Sequence, residues 1–397
     1  MRRLLTRGDY LRIAILAVMV AVLSWLAVDH TQHLLDKQPL GIDFLPMWAA
    51  AHEAFAHPSR VYDFVALTRF QHPLLAGFRG LRPFVYPPSG LLVFAPFGSL
   101  PFVVANALWT GASLLLLLAA MAPLVKSARM LVLLLLVVSP ASVLVMVTGQ
   151  TTFLIATLVL VAMLNLRDRP ILAGLLLGFA AAIKPPVLVL LPLALIAARQ
   201  WRALLMAGAT AAAVGLVSVA VFGVQAWLEW MAAMPRFERF IMHTPGLLRG
   251  VITPTGLGVS LGLHGDALMA WRAAFVVIGA VMVWVVFRRT EDPARRLAAL
   301  LGGSLFVTPY AMHYDAALLA PAAVMLLAYR SSPGAWVTAF LGALLLCFAA
   351  IPHWGAAAVT AFVLLVALDG ELAIGEALWR AAAGPHPQRA GAAAETA

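Results

Sequence analysis

Apolar residues in this chain fall in solid blocks, without the alternation of half-buried elements. Ile13 to Val28, Leu114 to Leu118, Met130 to Val138 and Ala273 to Phe287 are each bounded by charges or turn residues. Blocks that are apolar on every face predict helices immersed in lipid, so the pattern reads as an all-α polytopic membrane protein. A β-barrel would show alternating segments of about ten residues, which are not seen. The blocks predict helices at about 12–28, 102–124, 130–147, 151–166, 170–183, 186–198, 203–222, 267–287, 297–310, 314–329, 335–351 and 355–368. Two long segments remain between them on one side, 29–101 and 223–266, within a single transmembrane domain spanning 1–380.

The stretch 170–198 admits two readings. As one tilted helix it would run roughly 44 Å; as a hairpin it would make two short legs. Arg169 before it, Arg199 and Arg202 after it, and the Lys184-Pro185-Pro186 break inside it favour the hairpin, because proline removes backbone donors and bars a continuous helix. The start, with Arg2, Arg3, Arg7 and Arg12 ahead of the first block, looks like a signal peptide. No small-residue cleavage site follows Val28, so it is read as a retained first helix. The tail 381–397 is rich in Ala, Gly and Pro and is expected to be a disordered cytoplasmic segment.

Composition agrees with the block pattern: 63% of the 397 residues are hydrophobic and 11% charged, outside the range of soluble domains. The net charge of +10 could indicate nucleic acid, but the placement of charges explains it otherwise. With the N-terminus in the cytoplasm, the cytoplasmic side carries a net +9 and the outer side +1, as the positive-inside bias requires. No nucleic-acid partner is needed. Twelve spans return the C-terminus to the cytoplasm and leave the two long segments on the outer side. The one cysteine, Cys347, allows neither an internal disulfide nor a cysteine metal site.

Chemistry should concentrate in the long outer segments. The first holds Asp29, Asp36, Asp43, Glu53 and Asp63 with Arg60, Arg69, Arg79 and Arg82; the second holds Arg236, Glu238, Arg239, His243 and Arg249. Outer cations run against the positive-inside bias, and an anionic phosphate at the membrane surface would suit them. Histidine also favours this side, with nine of ten there, yet no His-x-x-x-His pair stands on a clear helix beside a carboxylate, so no metal site is assigned. No phosphate-cradling glycine loop or Walker sequence is present. The drawn helices hold almost no Asp or Glu, which argues against a transporter or flippase. A catalytically silent assembly subunit is a third reading.

Several words then stand in a familiar order: GIDFLPMWAAAHEAFAHPSRVYD (Gly41 to Asp63), FVYPPSGLLVFAPFGSLP (Phe84 to Pro101), TGQTT (Thr148 to Thr152), LLLGFAAAIKPP (Leu175 to Pro186) and TPYAMHYDAALLAP (Thr308 to Pro321). Together they resemble glycosyltransferase family 87, over about residues 10–370. Pro46 and Met47 depart from its usual word, which often has a polar residue and Tyr there. The resemblance implies a GT-C type fold of about 12 helices with the active site on a large first periplasmic loop. It also implies transfer of a sugar, mannose first and arabinofuranose second, from a polyprenyl-phosphate donor to a lipid or glycan acceptor, with inversion. The lipid-linked sugar is a substrate, and no cofactor is expected.

Such a reaction needs a carboxylate to take the acceptor's proton and cations to hold the leaving phosphate. Position alone leaves Asp29, Asp36, Asp43 and Asp63 in competition for the base; the family pattern points to Asp43. The competing expectation is that Asp43 merely caps a helix from Phe44 to Ala56. Lys184, at the tip of an apolar leg, is expected to meet the donor phosphate or to serve as an interfacial anchor. His313 and Arg249 join it as candidate phosphate contacts. Trp48, Tyr86, Gln150 and Tyr314 are the candidate contacts for sugar or acceptor, while Asp315 is expected to cap a helix.

Overall fold

The computed structural model describes residues 39–75, 80–125, 136–329, 333–349 and 354–372, with isolated positions at 18, 21, 22, 25 and 133. Apart from the helical positions 18, 21, 22 and 25, the expected first helix, with Asp29 and Asp36 after it, and the tail from 381 lie outside the described residues. Among those described the chain is all-helical, with no strand and a single isolated antiparallel bridge, Val251 to Met312.

The outer-segment helices are short: α1 (Leu45–Ala56), α2 (Phe64–Gln71) and α3 (Pro88–Phe94). The apolar blocks follow as α4 (Phe102–Met121), α5 (Pro140–Thr148), α6 (Thr152–Asn165), α7 (Pro170–Ile183), α8 (Leu191–Ala197) and α9 (Trp201–His243). After two short helices, α10 (Pro245–Leu248) and α11 (Pro254–Ser260), come α12 (Gly265–Arg289), α13 (Pro293–Val307), α14 (Ala320–Tyr329), α15 (Pro333–Phe348) and α16 (Gly355–Leu372). Pro88, Pro140, Pro170, Pro254 and Pro293 sit in first turns, where a missing N–H costs nothing. Ser139, Thr253 and Asp292 add side-chain caps.

Among the described residues three helical stretches are long and apolar enough to cross a membrane: Phe102–Leu124, Trp201–Met242 and Gly265–Arg289. The other apolar helices are shorter than the roughly 20 residues of a full perpendicular span. Leu115 on α4, Leu205, Leu216 and Val224 on α9, and Met269 and Val277 on α12 point large apolar groups outward, as lipid contact requires.

The chain breaks at Lys184, as the prolines predict. Gly174 and Gly178 of α7 lie against the Ala203 and Ala207 carbonyls of α9, so close that a Cβ at either glycine would fall within 2.5 Å. Since 174 meets 203 and 178 meets 207, α7 and α9 run parallel, and the residues between them must cross back. The second leg of the hairpin is therefore real, made of a 3-10 turn at Pro185–Leu188 followed by α8. The small-residue spacing lets the two backbones touch where lipid supplies no hydrophobic drive between helices.

The expected span at 203–222 continues as helix beyond its boundary, with a break. Gly223 takes φ 80° and ψ 159°, and Trp227 donates its indole N–H to Ser218 Oγ at 3.0 Å. In an unbroken helix those residues would be about 13 Å apart along the axis, so the glycine bends the chain over. The second outer segment is thus mostly helical, and it packs on α3, with Trp230 donating to the Val85 carbonyl at 3.1 Å. At the opposite end, Arg167 after α6 pairs with Glu291 after α12 at 2.5 Å, so two loops expected on one side of the membrane do share an end.

Candidate active site

Five segments far apart in sequence are tied together at one end of the helices. Gly41 donates its N–H to Val147, and Asp43 and Phe44 donate theirs to Thr148, at 2.8, 2.9 and 3.0 Å. This staples the start of α1 to the end of α5. Gly41 and Gly149 both adopt positive φ, 77° and 74°, and the Asn106 side chain lies between them, leaving no space for a Cβ at either. Glycine is required at both places for conformation and for close approach. Trp109 closes the arrangement by donating to the Gly149 carbonyl at 3.1 Å.

Asp43 does not cap α1. The N-cap position belongs to Phe44 and carries no side-chain cap bond. The carboxylate instead accepts from Arg82 Nη1 at 3.1 Å, with the two side chains only 21% and 15% exposed. Asp63, a competitor for the base, does cap its helix, accepting the Val65 and Ala66 N–H groups at 3.0 Å. Glu53 is buried and holds Arg60 and His57.

Arg82 is held by its backbone on both sides. Its N–H donates to Thr68 Oγ1 at 2.8 Å, and its carbonyl accepts from Gln71 Nε2 at 2.9 Å. Burial pulls the guanidinium below its ordinary range, and the neighbouring Asp43 carboxylate pulls it back. The loop continues to Tyr86, whose carbonyl accepts from the Tyr62 hydroxyl at 2.9 Å. Burial, with Glu229 adding to it, pushes the Tyr62 phenol well up, so it stays a donor. The Tyr86 hydroxyl donates to Gln150 Oε1 at 3.1 Å and lies 2.9 Å from Thr151 Oγ1. Burial likewise pushes the Tyr86 phenol up, with Lys184 opposing.

Lys184 reaches this group because Ser89 on α3 donates to the Ala182 carbonyl at 2.6 Å, pinning α3 to the end of α7. Its ammonium meets Asp315, at 2.5 Å, and stands 5.8 Å from the centre of the Tyr314 ring. Asp315 is buried and fully engaged: Oδ1 also accepts from Thr152 Oγ1 at 3.4 Å, and Oδ2 accepts the Met312 N–H at 3.2 Å. The expected capping role is present, and the ion pair is added to it. Burial is the largest influence and works against the Lys184 charge, but Asp315, with Tyr86 and Asp43 adding to it, holds the ammonium above its usual range. The field of Asp43 is felt at Arg82, Tyr86, Lys184 and Tyr314, which makes them one electrostatic group.

Segment 250–252 is stitched to 311–313: Ile252 donates to Ala311 and His313 to Gly250, each at 2.8 Å. A Cβ at Gly250 would fall 2.6 Å from His313 Nδ1, so the imidazole lies against the residue next to Arg249. Arg249 itself is exposed.

Of the residues expected from sequence, Asp43, Tyr86, Gln150, Lys184 and Tyr314 come together, with His313 beside Tyr314, while Arg249 is exposed on the segment that His313 packs against. Trp48 has other neighbours. Its indole N–H donates to the Leu100 carbonyl at 2.8 Å, and its ring packs on His52, Phe70 and Phe102, so its contacts anchor α1 and do not include the group around Asp43. Three further outer histidines are tied locally: His52 lies 2.9 Å from the Gly98 carbonyl, His243 2.8 Å from that of Arg239, and His264 2.7 Å from that of Gly262. Among the described residues no three His, Cys, Asp or Glu side chains gather as metal ligands would. Arg82 and the pairing role of Asp315 were not singled out from sequence. The one available signal was electrostatic: buried outer cations need carboxylate partners, and few were on offer.

Comparison with known proteins fits this arrangement. The chain is 31% identical over 228 residues to an alpha-(1->3)-arabinofuranosyltransferase of Mycobacterium tuberculosis, covering 53% of this chain and 50% of the relative, so it spans about half the length of that protein. It is 27% identical over 296 residues to a polyprenol-phosphate-mannose-dependent alpha-(1-2)-phosphatidylinositol mannoside mannosyltransferase of Mycolicibacterium smegmatis, covering 66% of each. The Mycobacterium tuberculosis protein of the same description is 25% identical over 336 residues, covering 78% of this chain and 74% of the relative. No solved structure matches. The sequence profile of glycosyltransferase family 87 matches residues 84–312, more than half of the chain, from just before Tyr86 through Gln150, Lys184 and Arg249. The chain belongs to glycosyltransferase family 87.

Proposed function

We propose that this protein is a GT-C type membrane glycosyltransferase of twelve spans that moves a sugar from a polyprenyl-phosphate donor to an acceptor hydroxyl at the periplasmic face of a bacterial inner membrane. Mannose is the first donor sugar to consider and arabinofuranose the second, following the names of the relatives. Asp43 takes the acceptor's proton while the acceptor oxygen bonds to the anomeric carbon. The bond from that carbon to the phosphate breaks in the same step, and the phosphate leaves with its charge countered by the site's cations. Tyr86, Gln150 and Tyr314 offer polar and aromatic contacts to the sugar, with His313 and Arg249 at the rim. The observation that carries this reading is a carboxylate that does not cap its own helix but faces a half-buried arginine, at a junction of five distant segments.

The reading predicts that purified protein, given radiolabelled polyprenyl-phosphate sugars and extracted membrane lipids, transfers label without any nucleotide sugar. Absence of transfer from every donor of this class would remove it. The orientation has its own test. Cys347 is buried, so cysteines placed at the exposed Ser59 and Gly246 should be labelled by an impermeant thiol reagent in cells with a permeabilised outer membrane. One placed at Asp168, in the loop at the opposite end, should be protected. The reverse pattern would put the site in the cytoplasm.

A further inference from the structure

Beyond Gly223, α9 continues as a helix with four distinct sides. The apolar leg before it, 203–222, runs roughly 30 Å at 1.5 Å per residue, the thickness of the hydrocarbon core, so Gly223 stands at the lipid edge. Trp227, held to Ser218 on that leg, turns its side of the helix back toward the membrane. At about 3.6 residues per turn, Arg236, Arg239 and His243 then fall on the opposite side, away from the hydrocarbon. A third side faces the protein: Trp230 bonds the Val85 carbonyl, Ala233 is buried, and Phe237 packs against Tyr310 at 5.2 Å. The fourth side holds Val224, Leu228 and Met231, each more than half exposed. It continues the apolar surface that the leg exposes at Val217 and Val221, and Glu238 at its edge is paired with Arg272 of α12.

We propose that residues 224–243 form an interfacial helix whose partner is the phospholipid leaflet at the site's end of the bundle: Val224, Leu228 and Met231 pack against acyl chains, and Arg239 meets the phosphate of an anionic headgroup. The occupant is lipid because the stripe runs on without a break from the lipid-facing side of a leg as long as the hydrocarbon core. The cations then lie on the side where a surface-bound amphipathic helix keeps them. Arg236 is engaged by the protein, with Nε on the Ala232 carbonyl and the guanidinium over the Phe64 ring. Arg239 is exposed and has no ion-pair partner among the described residues, which makes it the headgroup contact. Through Trp230 and Phe237 the helix also fixes Val85, next to Tyr86, and Tyr310, so the site is held at headgroup level.

The test uses the full chain in nanodiscs of phosphatidylcholine and phosphatidylglycerol, with an environment-sensitive fluorophore on single cysteines. Leu228→Cys and Met231→Cys report the stripe, Arg239→Cys the polar side and Leu216→Cys the leg; these side chains are exposed, and Cys347 is buried and stays unlabelled. The labels at 228 and 231 should be quenched most by a spin label at the top of the acyl chain, that at 216 by one farther down, and that at 239 by an aqueous quencher. Aqueous quenching at 228 and 231 as strong as at 239 would put the stripe in water, and quenching by neither reagent would show that a protein or a second copy covers it. Quenching there as deep as at 216 would sink the helix in the core. Each of these results overturns the proposal. For the headgroup, the same shallow spin label should quench Met231→Cys severalfold more on phosphatidylglycerol than on phosphatidylcholine, and adding Arg239→Gln should remove the difference. Equal quenching from the two lipids, or a difference that survives Arg239→Gln, would overturn the arginine contact. No donor or turnover enters these readings, so their failure is separate from failure of the transferase reading.

Discussion

Asp43→Asn is expected to cut turnover by about 10²–10⁴-fold, the usual contribution of a positioned general base, while expression stays close to wild type and the unfolding temperature falls less than in the Lys184 and Asp315 variants below, Asp43 being more exposed than Asp315. Asparagine keeps the shape of the side chain and can still accept a hydrogen bond from Arg82, but it cannot take the acceptor's proton. The rival explanation, a helix cap, has already lost its geometry, because α1 carries no side-chain cap and the carboxylate faces Arg82. Asp63→Asn supplies the contrast. Asp63 does cap α2, and asparagine caps about as well as aspartate, so that variant should keep both stability and turnover. Kinetics and unfolding curves for the two variants side by side separate catalysis from architecture. Normal turnover in Asp43→Asn would remove the proposed base.

The second large effect concerns stability. Lys184 and Asp315 join the end of α7 to the turn before α14, with side chains 15% and 4% exposed. Removing one partner leaves the other charged and buried, which typically costs about 3–5 kcal/mol. Lys184→Met and Asp315→Asn should each lower the unfolding temperature of the detergent-solubilised protein markedly. The double variant should lose less than either single, because neither charge is then left alone, and asparagine still accepts the Met312 N–H. Losses that simply add would show that the two groups do not meet in solution. The pair also changes what Lys184 was expected to do from sequence. The snorkelling lysine has a partner of its own within the protein, and that partner was hidden because Asp315 read as a plain cap.

Solid apolar blocks are readable because lipid demands apolar surface all round, so most helices after residue 101 fell close to their expected bounds; the exceptions are 130–147, described as helix α5 only from Pro140, and 203–222, which runs on to His243. The Lys184-Pro185-Pro186 break was equally legible, since proline forbids the continuous alternative. What the blocks could not convey was the path of 224–243, where amphipathic helix follows directly on an apolar span and only Gly223 marks the bend. For the site, Asp43, Tyr86, Gln150, Lys184 and Tyr314 were visible as polar groups at turns between apolar blocks. Their pairing was not, because Arg82 lies 39 residues from Asp43 and Asp315 lies 131 from Lys184, and no periodicity connects them. Trp48 shows the converse. A tryptophan one turn from the candidate base invited a role with sugar, whereas packing on Phe70 and Phe102 accounts for the contacts it makes.

The central claim is that one carboxylate, Asp43, acts as a base in a single displacement. A double displacement would need a carboxylate nucleophile as well as an acid or base, as in retaining glycosidases, and here the second carboxylate, Asp315, is buried and bound on both oxygens. The most direct measurement is the anomeric configuration of the first product formed by the purified protein from a polyprenyl-phosphate sugar of defined anomer, read by NMR before any later exchange. The account predicts inversion at the anomeric carbon. Retention would contradict it, because Asp43 would then have to serve as nucleophile.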